Sequence, residues 1–143
     1  MSLAAVQEET SLDDDTLNQF VNTVRRFVDE RLIPLEAQVA SEDRMPPELI
    51  DEMREMGLFG LTIPQSYGGV GLNTLQECMV VMELGRAAPA FRSIIGTNNG
   101  IGSQGIVMDG TEAQKSYYLP RMASGEIIGS FALTEPNAGS DAG

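Results

Sequence analysis

The spacing of apolar residues constrains this chain most: it follows steps of three and four almost throughout and changes to steps of two only once. Leu17, Phe20, Val21, Val24, Phe27, Val28 and Leu32 form one stripe on a long amphipathic helix. Ser11 is placed to cap it, with Asp13, Asp14 and Asp15 at its positive end. Pro34 should kink or end that helix near Leu32, before a short continuation through Val39. Pro46-Pro47-Glu48 opens a second helix with Leu49, Ile50, Met53 and Met56 inward, and Gly57 stands where a left-handed cap belongs. Leu58 to Ile63 reads as extended or irregular up to Pro64, and Tyr67-Gly68-Gly69-Val70-Gly71 as a loop.

Asn73 or Thr74 starts a third helix through Leu75, Cys78, Met79, Met82 and Leu84, ending around Gly85. After a turn closed by Pro89, a fourth, small-residue segment runs from about Phe91 to Met108 and stops at Asp109-Gly110. Thr111-Glu112-Ala113-Gln114 begins a fifth helix bearing Tyr117, Tyr118 and Leu119, which Pro120 ends or extends by one turn. The period then switches. Glu126 to Thr134 alternates as a strand does, and Pro136 stops it. A lone strand after five helices lacks a partner for its backbone groups. The expected organisation is therefore mainly α: a tail over 1–10 (disordered or tag-derived), a helical domain over 11–125, and over 126–143 the start of a truncated β-domain.

Charge and residue inventory narrow the chemistry. The 143 residues carry 9 basic and 21 acidic side chains, a net charge of −12. Such a chain repels phosphate backbones and anionic lipid, which argues against nucleic-acid and membrane-surface binding. Residues 1–60 hold 14 acidic and 5 basic residues, a net −9, so the acidity belongs to the first helices and reads as their solvated faces. With no histidine, His-ligated metal sites and Ser-His or Cys-His catalysis within this chain are excluded. Cys78, the single cysteine, is expected to be a buried, inert thiol, and a disulfide within the chain is impossible. No apolar run is long enough to span a membrane, and the acidic N-terminus fits neither a signal nor a transit peptide. The expected location is cytoplasmic, of bacterial type.

Three glycine or acidic motifs fail on context. Gly100-Ile101-Gly102-Ser103-Gln104-Gly105 fits the dinucleotide pattern G-x-G-x-x-G, with Glu126 suitably downstream. The mechanism also requires a buried strand before it and a full helix after it. Only Ile94-Ile95 precedes it and Asp109-Gly110 follows, so close packing or close approach of a ligand explains the glycines better. Gly68-Gly69-Val70-Gly71 is too short for a phosphate loop. Asp13-Asp14-Asp15 lacks the ligand alternation of a cation site. No metal is expected.

The segment Phe131-Ala132-Leu133-Thr134-Glu135-Pro136-Asn137-Ala138-Gly139-Ser140-Asp141 is the informative one. It presents backbone groups and a threonine hydroxyl at one edge and then turns sharply, an arrangement suited to a flat ring with alternating donors and acceptors. Its Leu-Thr-Glu-Pro-x-Ala-Gly-Ser-Asp pattern resembles the signature of the acyl-CoA dehydrogenase family. Gly57-Leu58-Phe59-Gly60, Ile63-Pro64, Tyr67-Gly68-Gly69, Gly110 to Lys115, Tyr118-Leu119-Pro120 and Ser124-Gly125-Glu126 extend the resemblance, in order, over about residues 15–143.

The resemblance implies a helical N-terminal domain of orthogonal or up-down type, leading into a middle β-domain and a C-terminal helical bundle. It implies FAD as cofactor, held in part by Phe131, Leu133, Thr134, Gly139 and Ser140, with Ser140 also facing the acyl-CoA substrate. Phe131 stands where some relatives have tyrosine, so a ring hydroxyl contact would be absent. The third and fourth helices would wall the acyl pocket. The implied reaction is α,β-desaturation of a thioester, with electrons passed to an electron-transfer flavoprotein and a homo-oligomer, tetramer or dimer, as the complete assembly. The catalytic base, a glutamate of the C-terminal domain in relatives, is expected beyond residue 143, so this chain alone should be inactive. Alternatives are a superfamily relative working as a flavin oxidase or monooxygenase, and a non-catalytic helical binding module.

Overall fold

The computed structural model describes residues 11–140, and the expected tail over 1–10 lies outside them. α1 spans Asp14–Phe27. Its cap is Asp13, not Ser11: the carboxylate accepts the Thr16 N–H at 2.9 Å. That bond holds the Asp13 carboxyl below its ordinary range. Pro34 neither ends the helix nor interrupts it. A wider π-helical turn, Val28–Leu32, joins α1 to α2 (Ile33–Glu42), and Pro34 occupies the first turn of α2. There a missing N–H costs little, and the widened turn relieves the clash of the proline ring with the preceding carbonyls.

α3 (Pro47–Glu55) follows Pro46 and closes on Gly57, whose φ of 73° is the left-handed value that L side chains avoid. A 3-10 turn, Leu58–Gly60, comes next. Residues 60–63 then pair with 70–72 without forming a sheet: Val70 N–H donates to the Gly60 carbonyl and Leu72 N–H to that of Leu61, both at 2.8 Å. α4 (Thr74–Leu84) is capped by Asn73, which accepts the Gln76 N–H. The expected fourth segment is two helices. α5 (Pro89–Thr97) and α6 (Ser103–Asp109) meet at a second π-helical turn, Asn98–Gly102, in which Gly100 leaves helical φ/ψ. α7 (Glu112–Ala123) begins with a reciprocal Thr111–Gln114 capping box and runs one turn past Pro120.

One core unites these pieces. Val24, Val28 and Leu32 of the first stripe pack with Leu49, Met53, Leu58, Phe59, Val80, Leu84, Phe91 and Ile95, all essentially inaccessible. Ile63, Leu119, Met122 and Ala123 form a smaller satellite at the α7 end. α4 meets α1 through Gln76, Val80 and Leu84, spaced by four. The opposite face of α4 is therefore outward. Leu75 is 72% and Met82 74% exposed, and Cys78 is exposed rather than buried. An apolar helix offers more than one plausible inner face, and packing against α1 selected the one containing glutamine. Gln76 meets the chain entering α1, accepting from Leu12 N–H at 3.2 Å and donating to its carbonyl at 2.7 Å.

The stretch 126–134 also departs from expectation. It forms no strand, and a Glu135–Ala138 bridge is all the β-structure among the described residues. Its alternating side chains suit a sheet, but no described residue offers a strand edge for its N–H and C=O groups to join.

Candidate functional site

Residues 131–140 leave the helical body past α7. Gly125, with φ of 72°, turns the chain, and its carbonyl accepts from Arg54 Nε at 3.2 Å. Ile127 N–H donates to the Arg121 carbonyl at 3.1 Å, and Gly129 N–H to Asn98 Oδ1 at 2.9 Å. Among the described residues beyond Gly129 the backbone bonds are those of a tight turn, from Glu135 N–H to Ala138 O at 2.8 Å and from Ala138 N–H to Glu135 O at 3.3 Å.

The five residues singled out from the sequence all lie on this segment and all face outward. Phe131 is 56% and Leu133 54% exposed, and Thr134, Gly139 and Ser140 are exposed as well. A β-carbon on Gly139 would meet nothing within 4 Å. Among the described residues, then, this segment offers two large apolar side chains, a hydroxyl and peptide groups outside any ladder. Such donors and acceptors can meet the polar edge of a flat heteroaromatic ring while the apolar side chains lie against its face. The segment holds no acid–base pair placed for proton abstraction, and no group of metal-ligating side chains occurs among the described residues.

A pair of adjacent asparagines supports the segment, and the sequence reading passed over both. Asn99 accepts from Leu61 N–H at 2.6 Å and donates to the carbonyls of Leu58 (2.6 Å) and Ile95 (3.1 Å). Asn98 donates to the carbonyls of Phe59 (2.8 Å) and Met122 (3.0 Å) while accepting from Gly129. Both side chains are buried and fully satisfied. Two consecutive polar residues within an otherwise apolar and small-residue stretch were the available signal. The nearby G-x-G-x-x-G string binds nothing by the dinucleotide mechanism, since helix α5 and not a strand precedes it. Of its glycines, Gly102 is the tightly packed one: a β-carbon there would lie 2.7 Å from the Thr97 carbonyl and 3.5 Å from Gly129 Cα.

On another side, an open cleft of about 210 Å³ is lined by residues including Thr62, Asn73, Glu77, Asn99 and Gln104. Burial raises the Glu77 carboxyl above its ordinary value, and the charge of Arg92 opposes the rise. Gln104 donates to the Thr62 hydroxyl at 3.0 Å across the cleft.

The chain resembles known proteins along most of its length. The family profile described as "Acyl-CoA dehydrogenase, N-terminal domain" matches residues 14–126. (2S)-Methylsuccinyl-CoA dehydrogenase of Cereibacter sphaeroides is 40% identical over 131 residues, covering 91% of this chain and 24% of that protein. Acryloyl-CoA reductase (NADH) of Anaerotignum propionicum is 43% identical over 119 residues, covering 83% of this chain and 30% of that protein. The crystal structure of an acyl-CoA dehydrogenase complexed with FAD from Bacillus anthracis superposes with a TM-score of 0.78 at 33% identity, over 95% of this chain and 24% of that one. The chain thus spans about a quarter to a third of the length of these relatives.

Proposed function

Because the chain belongs to the acyl-CoA dehydrogenase family, we propose that it forms the N-terminal helical part of an FAD-dependent oxidoreductase acting on an acyl-CoA thioester, and that residues 131–140 are its flavin-facing segment. The observation that carries this reading is the placement of the signature: immediately after the matched helical domain, it stands clear of the core with its side chains exposed. In this reading Phe131 and Leu133 pack on the ring system and exclude water from it. Thr134 and the unladdered amides bind the polar edge of the ring. Gly139 lets the bound molecule approach the backbone, and Ser140 offers its hydroxyl to the cofactor and the acyl-CoA. Phe131 supplies apolar area without a phenolic donor. When bound, the flavin supplies the hydride acceptor for desaturation between the α and β carbons.

By family resemblance the base that takes the α-proton is assigned outside residues 1–143, and Glu135, within the signature, is given no catalytic role. Electron-transfer flavoprotein as the acceptor, and a homo-oligomeric holoenzyme, complete the proposal. One relative is named for the reductive direction, so both directions belong in the assay. The test is twofold. The purified gene product carrying this chain should be yellow and should oxidise an acyl-CoA with an artificial electron acceptor. The 143-residue chain alone should do neither at a detectable rate, and turnover by it would remove the assignment of the base. Rapid oxygen consumption without an added acceptor would favour an oxidase or monooxygenase instead.

A further inference from the structure

Asn98 joins the helical body to the chain that leads into residues 131–140. Asn98 is fully buried at the first position of the π-helical turn, and its amide makes three bonds to three separate pieces of chain. Nδ2 donates to the carbonyls of Phe59, in the 3-10 turn, and Met122, in the last turn of α7, while Oδ1 accepts from Gly129 N–H. Only a primary amide of this length offers two donors and an acceptor together. A carboxylate would set acceptors against two carbonyls, and an aliphatic side chain would leave all three groups unpaired.

The same place is closed sterically. A β-carbon on Gly129 would lie 2.9 Å from Met122 Cε and 3.3 Å from Gly102 Cα. The outgoing chain therefore runs backbone against backbone along the π-helical turn, and Gly129 is the last residue tied to the helical body before Phe131.

We propose that Asn98 is a positioning residue for the cofactor site: by fixing Gly129 two residues ahead of Phe131, it sets where Phe131, Leu133 and Thr134 meet the flavin. This rests on the reading of those residues given above. Two measurements separate the two ideas, hydrogen exchange on the 143-residue chain and spectroscopy of the flavin-loaded gene product. Gly129→Pro deletes the N–H while Asn98 keeps both carbonyl partners. Exchange of the Ile127 N–H, which donates to the Arg121 carbonyl two residues before Gly129, should accelerate about five- to tenfold, with α1–α7 protection unchanged. At matched flavin occupancy, the visible absorption and the reduction potential of the bound flavin should both shift. Asn98→Ala leaves Gly129 and its close packing untouched while removing the amide that accepts its N–H, and it should give the same signs if the proline variant does not fold. Unchanged exchange in both variants overturns the clasp. Faster exchange with an unaltered flavin overturns the positioning role. A wild-type gene product without flavin overturns the reading of residues 131–140, and the positioning role falls with it while the exchange result still decides the clasp.

Discussion

The helical body and the segment beyond Gly129 obey opposite rules. In the body, every buried polar side-chain atom among the described residues has a partner, and large apolar residues such as Phe59 and Phe91 are sealed. In the segment, Phe131 and Leu133 stand more than half exposed and most peptide groups join no ladder. On the reading proposed above, the contrast places stability in one region and recognition in the other. Groups already satisfied have little left to offer a ligand, whereas uncommitted amides and exposed apolar surface do.

The sharpest way to break that contrast is to truncate one phenylalanine from each region. Phe59→Ala should cost about 3–5 kcal/mol in denaturant unfolding, and Phe131→Ala should stay within about 0.5 kcal/mol. A large loss at Phe131 would mean that the segment belongs to the core. Next in size is Asn99→Ala, which strands Leu61 N–H and the Leu58 carbonyl and should cost about 2 kcal/mol by the same measurement. Gly57→Ala forces a β-carbon into a left-handed turn and should cost about 1–2 kcal/mol, read as a lowered thermal midpoint.

Titration sharpens the comparison further. The Arg25 hydrogen bond, aided by Arg86, holds the Glu83 carboxyl below its ordinary value, and Arg31 does the same for Glu52. A depressed folded-state value means that the unfolded chain binds the proton first. These pairs therefore contribute above the ordinary carboxylate range, and their contribution is lost as pH falls through the folded values. Glu77 has the opposite sign. Its value is raised by burial, so its protonated form favours folding at low pH, and that advantage disappears as pH rises through the folded value. Thermal melts from neutral pH downward should show Glu83→Gln flattening the acid loss. Glu77→Gln should raise neutral-pH stability by a few tenths of a kcal/mol, the smallest effect expected.

Much of the body was legible from residues a turn apart. Pro47, Asn73 and the Thr111–Gln114 pair mark helix starts at the positions observed, and Gly57 marks its stop. The residues proposed to face the flavin were legible only through family resemblance, because the alternation over 126–134 suggests a strand without saying what it would bind. For Asn98 and Asn99 the sequence offered only two polar neighbours in an apolar and small-residue stretch, and not their partners, which lie 24 to 41 residues away apart from Ile95.

What the sequence determined by itself was therefore local chemistry: where helices begin and end, the acidic and histidine-free inventory, and the family signature. Tertiary structure decided the rest. It turned Gln76, Val80 and Leu84 inward and left Leu75, Cys78 and Met82 outside. It carried the first helix across Pro34 through a π-helical turn and denied residues 126–134 a ladder. Caps and turns are settled by atoms within a few residues of one another, whereas the choice of a buried face or a strand needs a partner that only the assembled fold supplies.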